Sequence, residues 1–317
     1  MNRARRRPLA PDHTLGAAID TAVQEWAQHS LLEDLAPDIT TPLIHLRATP
    51  AAERPLADLR LIAADLAELT GAPSNRIAAR TAEVARTATL CLLAAAILTI
   101  AISRQEDPSA ILGLLPKPRE HRQRECHTDA EILALRCAAV SRGDRGFHTA
   151  AARYALVETG AWPTEISGIT RAHFDHPATP QTVNLTGVDG HLGQRTRPVP
   201  TWAQPLLARA IASATTDGLP DHAPLFYRGT DPRGAAATAS VSDSLRELLP
   251  RCGWKCVIGK PLNAARWRIA LIQDQEGLRS AATAFGVSND MGRVHTFTRQ
   301  RPQARIAPAG PRTYIGA

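Results

Sequence analysis

The chain has 317 residues, of which 44% are apolar and 21% are charged. This length suits two domains, and the composition is that of a globular protein, which excludes a wholly disordered or fibrous chain. Thirty-seven basic against thirty acidic residues give a net charge of +7, which favours a polyanionic partner such as nucleic acid or an anionic membrane. All but three of the basic residues are arginine, a bias that suits phosphate binding and that a GC-rich genome also produces.

The first 115 residues predict a helical domain preceded by a basic N-terminal arm. Apolar residues recur at helical spacing after Thr14 and again over about residues 52–69. A third helix is predicted from Ser74 to about Ser103, because no proline or glycine interrupts it. Its uncharged part, residues 87–103, has the minimum length for a membrane span but is only weakly hydrophobic, so a buried core helix is favoured.

Residues 116–126 are rich in proline and basic side chains and predict a linker. A second domain is predicted over residues 127–317, and it opens with a capping box formed by Thr128 and Glu131. Alternating segments at 182–185 and 195–200 flank a turn-rich stretch and predict a β-hairpin. The predicted helices are 128–141, 147–159, 202–215, 238–249, 262–275 and 278–285, with a helical turn at 164–168 and an irregular tail. The fold class is therefore mainly α with a small antiparallel sheet, an α+β arrangement.

The five cysteines are odd in number and scattered: Cys91, Cys126, Cys137, Cys252 and Cys256. The basic start of the chain is not followed by the apolar stretch of a secretory signal. We therefore expect a cytoplasmic protein with free thiols. No cysteine or histidine spacing supplies two halves of a metal site, so no metal and no other cofactor is predicted.

Several short motifs of the second domain occur in a characteristic order. They are Thr159-Gly160-Ala161-Trp162-Pro163-Thr164-Glu165-Ile166, Arg197-Pro198-Val199-Pro200, Pro224-Leu225-Phe226 and Asn263-Ala264-Ala265-Arg266. In this order and spacing they resemble the catalytic domain of tyrosine recombinases of the phage-integrase type, over roughly residues 116–300. The resemblance implies a core-binding-like first domain and double-stranded DNA as the partner, held between the two domains. It also implies a homo-oligomer on DNA and a role in recombination or integration of mobile elements, without a metal.

In that family a tyrosine hydroxyl attacks a DNA phosphodiester. Two arginines and a histidine bind the non-bridging oxygens, and a hairpin lysine protonates the leaving 5′ oxygen. The resemblance implies that most of these groups are missing here. The degenerate positions are Trp162 for the first arginine, Leu192 (or His191) for the lysine, Asn263 for the first histidine, Val287 for the second and Thr296 for the tyrosine. Arg266 is retained, and a second register offers Tyr314 as the nucleophile.

Acid-free basic runs indicate where the chain could still bind DNA phosphates. The predicted DNA-contacting residues are Arg3, Arg5, Arg6, Arg7, Lys117, Arg119, Arg195, Arg197, Lys255, Lys260 and Arg268. The leading hypothesis is a DNA-binding integrase relative whose cleavage chemistry is impaired or lost. Two alternatives stay open: an active recombinase that uses Tyr314 with Arg266, and a helical interaction or membrane-associated protein whose segment 87–103 enters a bilayer.

Overall fold

The computed structural model describes residues 6–10, 12–60, 76–115, 127–144, 146–188, 192–246, 248 and 263–287. These residues are mostly helical with one small two-stranded antiparallel sheet, which confirms the predicted fold class at this level. The helices are α1 (Leu15–Gln28), α2 (Thr41–Arg47), α3 (Arg76–Ser103), α4 (Ser109–Leu112), α5 (Asp129–Asp144), α6 (His148–Glu158), α7 (Pro163–Ile166), α8 (Gln204–Thr216), α9 (Ala235–Arg246), α10 (Ala264–Glu276) and α11 (Leu278–Phe285). The strands are β1 (Thr182–Leu185) and β2 (Arg195–Pro198).

Helix α3 is the central helix of the core, and it packs against α1 and α5. Its polar atoms have partners inside the protein, since Trp26 Nε1 donates to Thr99 Oγ1 at 2.8 Å and Thr99 donates to the carbonyl of Ala95 at 2.9 Å. The segment Ala85–Ser103 is long and apolar enough to span a membrane, a property that buried core helices share. Most of that segment is buried within the protein, as predicted for a core helix.

The apolar core crosses the boundary that the sequence predicted between two domains. Helix α3 of the first half packs along α5 of the second half, and buried residues of both halves form one cluster. The loop at residues 31–36 reinforces this contact, because the amide of Ala36 donates to Asp129 Oδ2 at 3.0 Å. The linker predicted at 116–126 lies outside the described residues. The two described halves therefore share a core along α3 and α5.

Most elements of the second half were predicted from patterns within a few residues of sequence. The Thr128 amide donates to Glu131 Oε2 at 2.7 Å and the Glu131 amide donates to Thr128 Oγ1 at 3.3 Å, which is the predicted capping box. The predicted hairpin is confirmed as β1 and β2, with Thr182 opposite Pro198 and Leu185 opposite Arg195.

Two features of the first half differ from the prediction. The helix expected from about residue 52 does not begin before Leu59, since Pro50–Glu53 and Leu56–Asp58 are separate 3₁₀ turns. The backbone is extended at Arg54 and Pro55 because a residue that precedes proline avoids the α conformation. Helix α2 was not predicted, although it carries a proline in its first turn, where proline is favoured.

Candidate functional site

Three arginines from the hairpin and from α10 surround the C-terminal end of α6. Each donates a hydrogen bond to one of three consecutive backbone carbonyls. The pairs are Arg268 Nε with Glu158 (3.2 Å), Arg197 Nε with Thr159 (3.2 Å) and Arg195 Nη2 with Gly160 (3.0 Å). Carbonyls at a helix C-terminus lack intrahelical partners and carry partial negative charge, so cationic donors are stabilised there. We call these three residues the arginine cluster.

Arg195 binds the segments of the cluster together. It forms a bidentate ion pair with Glu165 of α7, at 2.7 Å and 2.8 Å, and the two side chains are only 4% and 1% exposed. It also donates to the carbonyl of Ala284 at 2.9 Å, near the end of α11. The hairpin, the loop after α6 and the last turn of α11 therefore meet at this guanidinium. The prediction that Arg195 contacts DNA does not fit this geometry, because its donors are bound to buried protein acceptors.

A second arginine, Arg136 of α5, pairs with Glu158 in the interior, and both side chains are fully buried. Its guanidinium lies against the rings of Trp202 and Trp267, 5.3 Å and 5.6 Å from their centroids. Burial opposes the charge of Arg136, but the neighbouring carboxylate of Glu158 outweighs that effect and leaves the pKa of Arg136 raised. The buried guanidinium of Arg136 therefore stays charged, and its burial depends on the carboxylate of Glu158.

The loop at residues 31–36 closes over this buried pair. Arg136 Nη1 donates to the carbonyls of Leu31 and Glu33, each at 2.7 Å. Asp34 forms an ion pair with Arg268, which also contacts Glu158 Oε1 at 3.2 Å. Arg268 is therefore neutralised by two acids, one from each half of the chain.

Arg197 is the member of the cluster that has no ion pair within the described residues. It is half-buried, and within the described residues its one hydrogen bond uses Nε. Burial and the positive charges of Arg268 and Arg195 lower the pKa of Arg197 to about 10, against a weaker opposite effect of Glu276. The side chain stays protonated at neutral pH, so the cluster carries one positive charge that no described carboxylate neutralises.

The positions that the resemblance assigns to catalytic groups are apolar where they lie near the cluster. Trp162 packs edge-on against Phe285, with ring centroids 5.2 Å apart, and its amide donates to Glu165 Oε2 at 2.9 Å. Leu192 packs partly buried against the core, and Val287 is buried. These three side chains offer no donor or acceptor to a phosphate, apart from the indole nitrogen of Trp162.

Asn263 and Arg266 lie at the start of α10, and both are half-buried. Arg266 is two residues from Arg268 in the same helix, so their side chains point about 200° apart. Since Arg268 faces α6, Arg266 projects from a different side of α10. The retained arginine of the resemblance and the arginine cluster therefore do not share one helix face.

The remaining predicted residues are placed as follows. Arg6 forms an ion pair with Asp144 at the end of α5, and Arg7 is exposed beside it. The predicted residues that lie outside the described parts of the chain are Arg3, Arg5, Lys117, Arg119, Lys255, Lys260, Thr296 and Tyr314.

The sequence analysis missed the buried pair of Arg136 and Glu158. The sequence does contain a signal for this pair. Arg136 is a single charge inside an apolar helical run, and Glu158 is a single charge at the end of another. Arginine and glutamate are almost never fully buried unless they are paired, so two such positions predict an internal ion pair.

The chemistry available to the cluster follows from its atoms. Guanidinium donors can bind an oxyanion, and the cluster itself contains no hydroxyl, thiol or imidazole that could act as a nucleophile. Within the ranges that the structure describes, no group of three or more His, Cys, Asp or Glu side chains could hold a metal ion. No protein-family model, curated protein or solved structure matches this chain.

Proposed function

We propose that this protein binds duplex DNA with a tyrosine-recombinase-like architecture and has lost the strand-cleaving chemistry. One observation carries the proposal. Two segments of the resemblance, the loop after α6 and the last turn of α11, contact Arg195 of the hairpin, and the Gly193 amide of the hairpin donates to the carbonyl of Gly286 at 2.7 Å in the turn that follows α11. Motifs scattered over more than a hundred residues of sequence come together in space, which supports their common origin in a binding site.

The loss of cleavage is supported by what stands at the converging positions. Trp162, Leu192 and Val287 replace an arginine, a lysine and a histidine with mainly apolar side chains that pack into the protein. Removing a single oxyanion-binding donor from an enzyme costs about 10²–10³ in rate. Three such losses reduce cleavage by several orders of magnitude, even after allowance for non-additive effects.

The proposed DNA surface lies on the hairpin side of the molecule. The direct contact of α3 with α5 argues against a duplex between those two helices. The hairpin carries Arg197, whose charge has no carboxylate partner among the described residues. A phosphate of the DNA backbone supplies the missing negative charge, in a contact that depends on shape and charge rather than on base sequence.

The salt dependence of duplex binding tests the proposal. Labelled random-sequence duplexes are titrated with the protein, and fluorescence anisotropy is recorded from about 50 mM to about 200 mM salt. Each neutralised phosphate releases counterions, so log K is expected to fall linearly with log salt with a slope of about −0.9 per contact. An affinity that does not change with salt, or no binding at the low-salt end, contradicts the proposed function.

A separate experiment tests the loss of chemistry. Nicked suicide duplexes trap a 3′-phosphotyrosyl adduct of an active tyrosine recombinase, because the cut end cannot be religated. We expect no covalent adduct on denaturing gels, with a cleavage-competent recombinase run as the positive control. An adduct that the wild-type chain forms and Tyr314→Phe does not would establish the active-recombinase alternative instead.

A further inference from the structure

The arginine cluster and the neighbouring Arg136 together hold one more cation than the carboxylates that pair with them. Arg195 is neutralised by Glu165, while Arg136 and Arg268 share Glu158 and Asp34. Arg197 is left over, and no carboxylate lies within 4 Å of it among the described residues. Glu276 acts on it only weakly and from a distance. A half-buried cation beside two other cations is unfavourable unless an anion joins it.

The guanidinium of Arg197 is already fixed in place. Its Nε donates to the carbonyl of Thr159, so the planar group is held against the end of α6. Its Nη1 and Nη2 have no hydrogen-bond partner within the described residues, and neither is among the fully buried polar atoms there that lack a partner, so both keep some solvent-accessible surface. Two parallel N–H donors on one planar group match two oxygens of a phosphate. We call the two Nη donors of Arg197 the fork. Because the fork is held in place before binding, it loses little conformational entropy when an anion binds.

The fork is anchored close to the position where the resemblance implies an arginine and the chain has Trp162. The residue that anchors it, Thr159, lies three positions before Trp162, where the resemblance places an arginine. Trp162 packs partly buried against the core and Phe285, and it brings no guanidinium to that loop. Arg197 reaches the same loop from β2.

We propose that Arg197 is a phosphate-binding residue that replaces, from the hairpin, the donor lost at Trp162. The ligand is an oxyanion of a phosphate ester, bound by the two Nη donors. The proposed function identifies its source as the backbone of duplex DNA, and to that extent the inference rests on the proposed function. A free phosphate or phosphorylated small molecule is the other source of the same chemistry.

The test uses three variants of the full chain. Arg197→Gln removes the charge, and Arg197→Lys keeps the charge but removes the fork. Arg209→Gln is the matched control, because Arg209 is exposed on the following helix and, within the described residues, donates only to the carbonyl of Pro205. Melting curves are recorded first in chloride and then in inorganic phosphate at equal ionic strength, and duplex binding is then measured by anisotropy.

We expect phosphate to raise the melting temperature of the wild-type and Arg209→Gln proteins relative to chloride, and to have no such effect on Arg197→Gln. Duplex affinity should fall about tenfold or more in Arg197→Gln and by less in Arg197→Lys, since one charge-assisted contact is lost. The salt slope of Arg197→Gln should be shallower by about 0.9. If Arg197→Gln melts too low to be measured, Arg197→Lys is compared with Arg209→Gln instead, and its duplex affinity is expected to fall below that of the control, because the lysine keeps the charge but lacks the two parallel donors.

Three outcomes separate the two claims. If wild type binds duplex and Arg197→Gln binds it as well as Arg209→Gln does, Arg197 is not the phosphate donor, although the chain still binds DNA. If wild type binds phosphate through Arg197 but binds no duplex, the site stands and the proposed function is wrong. If phosphate has no effect on wild type and the two glutamine variants bind duplex equally, the inference is overturned.

Discussion

The buried pair of Arg136 and Glu158 gives the sharpest prediction about stability. Glu158→Gln removes the negative charge but keeps the size of the side chain. Glu158 Oε1 lies 3.0 Å from Arg136 Nε and 3.2 Å from Arg268 Nη2, and both members of the pair have no exposed side-chain surface. The substitution therefore leaves a fully buried guanidinium without its carboxylate. Breaking a buried pair in this way costs about 3–5 kcal/mol, a large part of the about 5–15 kcal/mol that a folded protein has.

The matched control is Asp20→Asn. Asp20 pairs with Arg47 at 3.0 Å, but the two side chains are 58% and 42% exposed, so water screens the charges. We expect this variant to lose less than about 1 kcal/mol. Both variants are compared with wild type by urea denaturation followed by tryptophan fluorescence, and the comparison is valid where the m-value is unchanged.

A double variant separates charge from packing. Arg136→Met with Glu158→Leu removes both charges and keeps apolar volume, which is often neutral or stabilising for a buried pair. Here we expect only partial recovery, because Arg136 also donates to the carbonyls of Leu31 and Glu33 and those acceptors lose their partner. If Glu158→Gln costs no more than Asp20→Asn, the pair does not carry a buried charge and the reasoning is refuted.

Two further predictions concern a glycine and a thiol. Gly286 has φ +71°, and an added Cβ would lie 2.8 Å from the carbonyl oxygen of Gly193, so Gly286→Ala should lower the free energy of unfolding by about 3 kcal/mol. Gly218→Ala, with φ +75° and open space around the Cβ, should cost only about 1 kcal/mol, and equal losses in denaturation would contradict the close approach. Burial raises the pKa of Cys137 to about 12, so iodoacetamide near neutral pH should alkylate it only after denaturant is added, as read by peptide mass spectrometry. Alkylation of Cys137 in the native protein would show that its environment opens.

Much of the fold was predictable because its signals are local. The capping box at Thr128, the uninterrupted run of α3 and the alternation of the hairpin each depend on residues within one element. The prediction of a helix from about residue 52 was wrong for an equally local reason, since Pro55 keeps Arg54 before it out of the α conformation.

The candidate site was predictable only in part, because its chemistry depends on contacts between distant segments. The sequence indicated Arg195, Arg197 and Arg268 as free cations, since each lies in a run without acids nearby. In space, Arg195 pairs with a carboxylate thirty residues earlier in the chain, and Arg268 pairs with Asp34 of the other half. A run of basic residues in the sequence shows only that no acid lies nearby in the chain. Whether each cation is paired with a carboxylate depends on the fold.

Pairing with carboxylates also determines which of these arginines can bind a ligand. A guanidinium that holds a buried carboxylate in two bonds would have to break both to reach a phosphate, and Arg195 would lose its contacts to α7 and α11 as well. Arg197 breaks nothing, because its anchor to Thr159 uses Nε and leaves the fork open. Two residues of the same strand, two positions apart and with the same charge, thus have different roles. Arg195 stabilises the contacts between the converging segments, and those contacts hold Arg197 in place to bind an anion.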